Sequence, residues 1–249
     1  MLNKVIVITG SSAGIGAAVA AHLAKEGASL GLIARRADVL AEVAQACGPN
    51  ALPVVADVTN RAAVQMAVKT VIDKFGHIDV WINNAGQGIT RQPTQLTGED
   101  IDDMIRVNVK SVLYGMQEVL PHFMAQGNGH IINVSSMLGR VPFALQRSAY
   151  SAAKHFMNSL TANFRTEVQA THPGIQFSLV SPGVVRTLFG LSARNGGMDS
   201  RQIPDSQSAV EVAEVIAGVI RSRLPDVYTR PGSAARVAGY YATVGVDAA

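Results

Sequence analysis

Short apolar runs rich in β-branched residues alternate with longer stretches of helical pattern along nearly the whole chain, and few folds tolerate that rhythm. Residues 4–9, 29–34, 51–56, 79–83, 130–135, 176–180 and 227–229 read as strands. The first six runs are apolar nearly throughout, as strands covered on both faces are. Between them, residues 15–26, 37–46, 61–75, 99–125, 148–169 and 208–222 carry helical periodicity. Gly27, Gly48, Gly76 and Gly127 fall where these helices should stop, as C-terminal caps do. Alternation sustained this long predicts an α/β fold, a parallel sheet with right-handed crossovers and helices on both faces.

The 249 residues hold no internal repeat, low-complexity tract or linker. Folds of this type fill roughly 200–250 residues as one unit, so a single domain over residues 1–249 is expected. Segment 187–205 breaks the rhythm with Gly190, Gly196, Gly197 and Pro204. Irregular segments beyond about 12–15 residues are usually functional or disordered, and a substrate lid is the expectation here. Residues 230–249, small and apolar around Val237, Tyr240, Tyr241 and Val244, are suited to docking on the body or on a second subunit.

Composition removes several function classes. Hydrophobic residues make up 48% and charged residues 16%, the reverse of the balance that keeps a chain disordered. The net charge of +3 is scattered, without the basic face of a nucleic-acid binder. Cys47 is the sole cysteine, so no internal disulfide forms, and a Cys-rich metal site is excluded. The six histidines show no ligand spacing, so no metal is expected. The apolar run from Val5 to Ile8 is too short for a signal-peptide core or a membrane span. A cytoplasmic, soluble protein is expected.

The first run leads straight into Thr9-Gly10-Ser11-Ser12-Ala13-Gly14-Ile15-Gly16, and a helical pattern follows at once. Glycines there let backbone N–H groups approach a pyrophosphate, which then sits at the positive end of the helix. The spacing departs from G-x-G-x-x-G, and no Lys-Ser/Thr pair follows, which removes a P-loop. The second run ends Ala34-Arg35-Arg36. A site for NAD places an acid here, whereas NADP wants a cation for its 2′-phosphate. Arg35 and Arg36, with Ser12 adding a hydroxyl, therefore point to NADP(H); the alternative is a solvated helix start. Asp57, beside Val58, caps the third run and is placed to accept from an adenine amino group. Asn83-Asn84-Ala85-Gly86 caps the fourth. Either is also ordinary turn chemistry, but ligands of open α/β sheets bind at these strand ends.

Tyr150-Ser151-Ala152-Ala153-Lys154 lies inside a helical pattern, with Tyr150 and Lys154 one turn apart on one face. A neighbouring ammonium favours the phenolate, bringing a phenol toward useful acid–base range. Ser135 and Ser136 close the preceding strand, where a hydroxyl can hold a substrate carbonyl against Tyr150.

The ordered motifs Thr-Gly-x-x-x-Gly-x-Gly, Asn-Asn-Ala-Gly, Asn-Val, Ser-Ser-x-x-Gly, Tyr-x-x-x-Lys and Pro-Gly resemble the short-chain dehydrogenase/reductase family, from about Leu2 to Thr229. The sequence looks closest to its single-domain, NADP-preferring branch. The resemblance implies a Rossmann-type, doubly wound parallel sheet of about seven strands. It also implies that Tyr150 is the general acid in reduction and the base in oxidation. Lys154 would hold the nicotinamide ribose and lower the Tyr150 pKa. Ser136, the serine followed by x-x-Gly, would be the catalytic one. Asn108 matches an asparagine that helps hold a relay water, though by itself it reads as a core amide. Gly10, Ser12, Gly14, Ile15, Gly16, Arg35, Arg36, Asp57, Val58, Asn84, Ala85 and Gly86 would line the nucleotide, and Pro182, Gly183 and Thr187 the nicotinamide carboxamide. The interval from Ser136 to Tyr150 is slightly longer than usual in the family. A homodimer or homotetramer is implied by analogy.

Substrate contacts are expected from residues 87–89, 137–146 and 187–205, which are largely apolar (Leu138, Val141, Phe143, Leu145, Leu188, Phe189, Leu191, Met198). A moderately hydrophobic ketone, aldehyde or secondary alcohol fits best, while Arg140, Arg147 and Arg194 keep an anionic substrate open. The rival enzyme readings are a 3-oxoacyl thioester reductase and a polyol dehydrogenase. A non-catalytic NADP(H) sensor is the rival of another class, and the presence of Tyr150, Lys154, Ser136 and Asn108 together weighs against it.

Overall fold

The structure, a computed structural model, describes residues 1–244. One parallel sheet runs in the order β3-β2-β1-β4-β5-β6-β7. Its strands are β1 (Val5–Thr9), β2 (Ser29–Ala34), β3 (Ala51–Val55), β4 (Val80–Asn83), β5 (Gly129–Val134), β6 (Ile175–Ser181) and β7 (Asp226–Tyr228). The helices are α1 (Gly14–Lys25), α2 (Ala37–Cys47), α3 (Arg61–Phe75), α4 (Gly98–Ile105), α5 (Ser111–Gln126), α6 (Ser148–Gln169), α7 (Ala209–Ser222) and α8 (Ser233–Tyr241). This is the Rossmann-type doubly wound sheet that the sequence predicts, with strand limits one residue or less from those expected. Strand order reverses between β1 and β4, the switch point at which open sheets of this kind bind ligands.

Alternation along each strand builds two cores. Ile6, Ile8, Leu30, Leu32 and Ile82 face α1, α2 and α7, meeting Leu23, Leu40 and Ile216. Val5, Val7, Ile33, Trp81 and Phe177 face α3, α5 and α6, meeting Val71, Phe123 and Met157. Period-two alternation sends successive side chains to opposite faces, so one continuous apolar run fills both.

Two expectations need correction. Strand β3 is not covered on both faces: it is a sheet edge, and Val55 is 58% exposed. Pro53 lies within it, which an edge strand tolerates because it has a side without a partner. Residues 99–125 are not one regular helix. A π segment, Arg106–Lys110, separates α4 from α5, and such bulges recur at functional sites. Hydrophobic periodicity does not register it, because one extra residue per turn leaves apolar side chains on both flanks still facing the core.

Helix ends follow the glycines as expected. Gly27, Gly48, Gly76 and Gly127 all have positive φ where α1, α2, α3 and α5 finish. Helix α8 docks on the body through Tyr241, whose hydroxyl donates to the Arg140 carbonyl at 2.8 Å. Tyr240 meets Phe143 edge-on at 5.6 Å. The end of the apolar stretch 230–249, from 245 onward, lies outside the described residues. Among the described residues no helix is long and apolar enough to cross a membrane.

Candidate active site

The carboxyl ends of β1, β4, β5 and β6 meet at one rim, and the predicted site residues converge there. The glycine turn after β1 is packed to its limit. Gly10 has φ +67°, and a side-chain carbon on it would stand 2.8 Å from the Ala85 backbone. A carbon on Gly16 would stand 2.3 Å from the Gly10 carbonyl and 2.6 Å from Asn84 Nδ2. Glycine is therefore required at both by close approach. Asn84 ties the two loops together, donating to Thr9 O at 2.9 Å and Gly10 O at 3.2 Å. Thr9 Oγ1 accepts from the N–H groups of Asn84 and Ala85. The N-cap of α1, Ala13, supplies no side-chain cap, so the first N–H groups of that helix keep their donor capacity for an anion. A turn closed to side chains at the start of an uncapped helix fits the pyrophosphate of a dinucleotide.

At the end of β2, Ala34 is buried and Arg35 and Arg36 are exposed. Arg36 reaches back to the glycine turn and donates to Ser12 Oγ at 3.2 Å. Asp57 spends Oδ1 on the N–H and hydroxyl of Thr59. Burial raises its pKa, but those two bonds and the charges of Arg35 and Arg106 outweigh it and hold the carboxyl below its ordinary value. Thr187 rests against the same turn, its Cγ2 3.3 Å from where a side chain on Gly14 would begin.

Buried polar pairs set the helix that carries Tyr150. Trp81 Nε1 donates to Asn83 Oδ1, Asn83 Nδ2 to Asn133 Oδ1, and Asn133 Nδ2 to Thr161 Oγ1, at 2.7, 2.8 and 2.8 Å. This chain links β4, β5 and α6 in a water-poor interior, where satisfied networks rigidify. Asn83, first of the Asn-Asn pair, thus serves the scaffold. The two serines also divide their work. Ser135 Oγ donates to Asn158 Oδ1 at 2.6 Å and is buried. Ser136 caps a short turn, accepting from Leu138 N at 3.1 Å, and its hydroxyl acts on the Tyr150 phenol.

Tyr150 is 8% exposed, and Phe189 from segment 187–205 crosses it edge-on at 5.7 Å. Burial pushes the phenol up to about 12, while Ser136 and the charge of Arg147 pull the other way. Lys154 sits 5.7 Å from the ring centroid, donates to Val134 O at 2.9 Å, and burial brings it down to about 8. Besides Lys154, expected from the sequence, Arg147 is a second cation close enough to act on the phenol.

Asn108 lies in the π segment, fully buried. Its Oδ1 accepts from Gln87 N at 3.1 Å and its Nδ2 donates to Gln87 O at 2.9 Å. The side chain pins the loop after Gly86, so what the structure shows of it is positioning.

Segment 187–205 closes over this rim. Arg194 N donates to Gly88 O and Thr90 N donates to Arg194 O, at 2.9 and 3.0 Å. The Arg194 guanidinium bonds Asp100 Oδ1 at 2.8 Å, Glu99 at 3.0 Å, and Asp103. Asp100 is fully buried and closes the capping box of α4 with Thr97. Phe189 is among the substrate contacts expected from the sequence, though not its place over Tyr150; the acidic anchor does not stand out, since its residues lie in a surface-patterned stretch. The Thr97-x-x-Asp100 spacing is a local signal for the capping box that the structure shows.

Residues 4–195 match the short chain dehydrogenase family profile. An uncharacterized oxidoreductase of Staphylococcus epidermidis is 40% identical over 185 residues, 74% of this chain and 79% of that one. A short-chain dehydrogenase/reductase of Burkholderia phymatum solved with NAD superposes with a TM-score of 0.88 at 26% identity, covering 99% of this chain and 97% of its own. An alcohol dehydrogenase of Thermococcus sibiricus solved with 5-hydroxy-NADP superposes at 0.79 with 29% identity, covering 90% and 95%.

Proposed function

The chain belongs to the short-chain dehydrogenase/reductase family and is an oxidoreductase of that family; from that premise we propose that it reduces a moderately hydrophobic ketone or aldehyde, or oxidises the matching secondary alcohol, with NADP(H). The observation that carries this reading is the convergence of Tyr150, Ser136 and Lys154 on the rim that also holds the Gly10–Gly16 turn. Arg35, Arg36 and Ser12 ring the end of β2, where a 2′-phosphate would lie, and the strand ends in Ala34 at the position where an acid would favour NAD. Around the nucleotide we assign Gly10, Ser12, Gly14, Ile15, Gly16, Arg35, Arg36, Asp57, Val58, Asn84, Ala85, Gly86, Pro182, Gly183 and Thr187.

The nicotinamide, when bound, exchanges the hydride with the reacting carbon. Ser136 orients the carbonyl oxygen, and Tyr150 delivers a proton to it in reduction or removes one in oxidation. Lys154 holds the nicotinamide ribose and keeps positive charge beneath the phenol. Asn108 fixes the loop on which Gly86 sits. Segment 187–205 acts as a lid that excludes water and brings Phe189 over Tyr150. Leu188, Leu191 and Met198 are exposed on this lid and Leu145 beside it, an apolar approach suited to a hydrophobic substrate. All of this forms one domain. We assign the oligomer to a homodimer or homotetramer through α5 and α6, where Phe156 is 54% exposed.

The test follows NADPH oxidation at 340 nm against ketones, aldehydes, sugars and oxoacyl thioesters, repeated with NADH and with Tyr150→Phe. Turnover of hydrophobic carbonyls that prefers NADPH, and falls by about 10²–10⁴ in the variant, is expected. Activity confined to thioesters or polyols would replace the substrate reading. Tight NADPH binding without turnover of any compound would favour a sensor.

A further inference from the structure

Three arginines border the substrate segments, and the structure separates them. Arg140 is paired with Asp226, and Arg194 with Glu99, Asp100 and Asp103. Nearby Arg91 lies 2.8 Å from Asp100. Arg147 alone has no carboxylate partner among the described residues; its one hydrogen bond runs from Nη1 to the Ile89 carbonyl at 3.2 Å. A guanidinium offers five donors in a fixed fork, so most of this capacity is unspent on a half-buried side chain.

The position of Arg147 matters more than its solitude. It stands three residues before Tyr150, at the entry to α6. Its guanidinium fills the space that side chains on Gly88 and Gly197 would take, 2.7 Å from each added carbon, so glycine at both admits it. Phe189, which crosses Tyr150, approaches the same Gly88 position at 3.1 Å. Thr90 Oγ1, buried and without a hydrogen-bond partner, lies 2.9 Å from the Gly197 position. A cation and a hydroxyl with spare capacity thus converge against the segment that carries Phe189 over Tyr150.

We propose that Arg147 recognises a carboxylate on the substrate, so that the carbonyl compound taken by this enzyme is an oxo acid with an apolar body. The inference deepens the carbonyl-reductase reading of the same site and rests on it. A partly buried, unpaired charge is costly. An arriving carboxylate relieves that cost through paired, charge-assisted bonds, and anchoring it fixes the carbonyl against Tyr150. The apolar residues of the approach accommodate the remainder of the molecule.

The test compares aryl-substituted oxo acids with their methyl esters, in the wild type, Arg147→Met and Arg147→Lys. Wild type is expected to prefer the acids by about tenfold or more in kcat/KM, equivalent to at least about 1.4 kcal/mol. Arg147→Met also removes a charge that acts on the Tyr150 phenol, so kcat should fall for acids and esters alike. KM should rise for the acids alone and erase the preference, and Arg147→Lys should keep part of it. Esters used as well as acids by the wild type would overturn the proposal. So would an acid preference that survives in Arg147→Met, or an equal rise in KM for both, which would make Arg147 a clamp on the lid. Absence of turnover with every carbonyl would sink the reductase reading instead. The arginine is then judged by titrating NADPH-loaded protein with 4-phenylbutyrate and 4-phenylbutanamide, read by NADPH fluorescence. Tighter binding of the acid that is lost in Arg147→Met supports the proposal, and equal binding overturns it.

Discussion

Lys154 shows at a single residue how stability is traded for chemistry. It is 3% exposed, its ammonium has one backbone acceptor, and burial brings its pKa from 10.5 down to about 8. Between those values the unfolded chain keeps a proton that the folded one releases, so stability rises with pH across that window. Below about 8 both states hold the proton and the full penalty stands, on the order of 3 kcal/mol at about 1.36 kcal/mol per unit. Replacing Lys154 by Met removes this penalty but strands the Val134 carbonyl, at about 1 kcal/mol. Lys154→Met is therefore expected to gain about 2 kcal/mol at pH 7, roughly 4–8 °C in Tm, and to lose its turnover. Calorimetry from pH 7 to 10 checks both sign and window: the wild type should close the gap as pH rises. A variant less stable than wild type at pH 7 would show that the ammonium is well accommodated.

At the scale of elements, α4 and segment 187–205 form a unit that neither forms alone. The lid's Arg194 neutralises Asp100, and Asp100 in turn caps α4 by accepting from Thr97 N at 3.1 Å. Arg194→Ala leaves Asp100 with Arg91 alone and removes the partner of Glu99 and Asp103, so it should lower Tm by a few degrees and raise KM several-fold as Phe189 loses its seat over Tyr150. Thermal melts with steady-state kinetics test this; a fall in Tm with unchanged KM would separate the anchor from the lid. This pairing also marks where sequence reading stops. The strands and the glycine turn were legible because period-two apolar runs and Gly10, Gly14 and Gly16 are local signals. Tyr150 and Lys154 were legible because a four-residue interval puts them on one helix face. The arginine that neutralises Asp100, the π segment around Asn108 and the partner of Arg36 at Ser12 depend on contacts across 20 or more residues. No local pattern encodes them. The same limit left Arg140, Arg147 and Arg194 equivalent in sequence, although only the folded chain neutralises two of the three.

For the whole molecule, the sheet order brings β1, β2 and β4 together so that one nucleotide can touch the glycine turn, Arg35 and Asn84 at once. Similarity to solved relatives does not choose between nucleotides, since one was solved with NAD and another with an NADP derivative. The choice falls to the end of β2, where two cations and Ser12 stand and Ala34 occupies the position of an NAD-selecting acid. Binding there stabilises the entire cooperative fold, because a ligand at 100 times its Kd adds about 2.7 kcal/mol. NADPH at that level should raise Tm by roughly 5–10 °C, and NADH at the same concentration by much less. Replacing Arg35 and Arg36 together by Ala removes charge-assisted bonds of about 1.5–3 kcal/mol each at most. The NADPH shift should then collapse toward that of NADH, while the NADH shift itself stays unchanged. Equal shifts from both nucleotides in the wild type would instead mean that the arginines are a solvated helix start, and that the fold holds its cofactor through the pyrophosphate and nicotinamide alone.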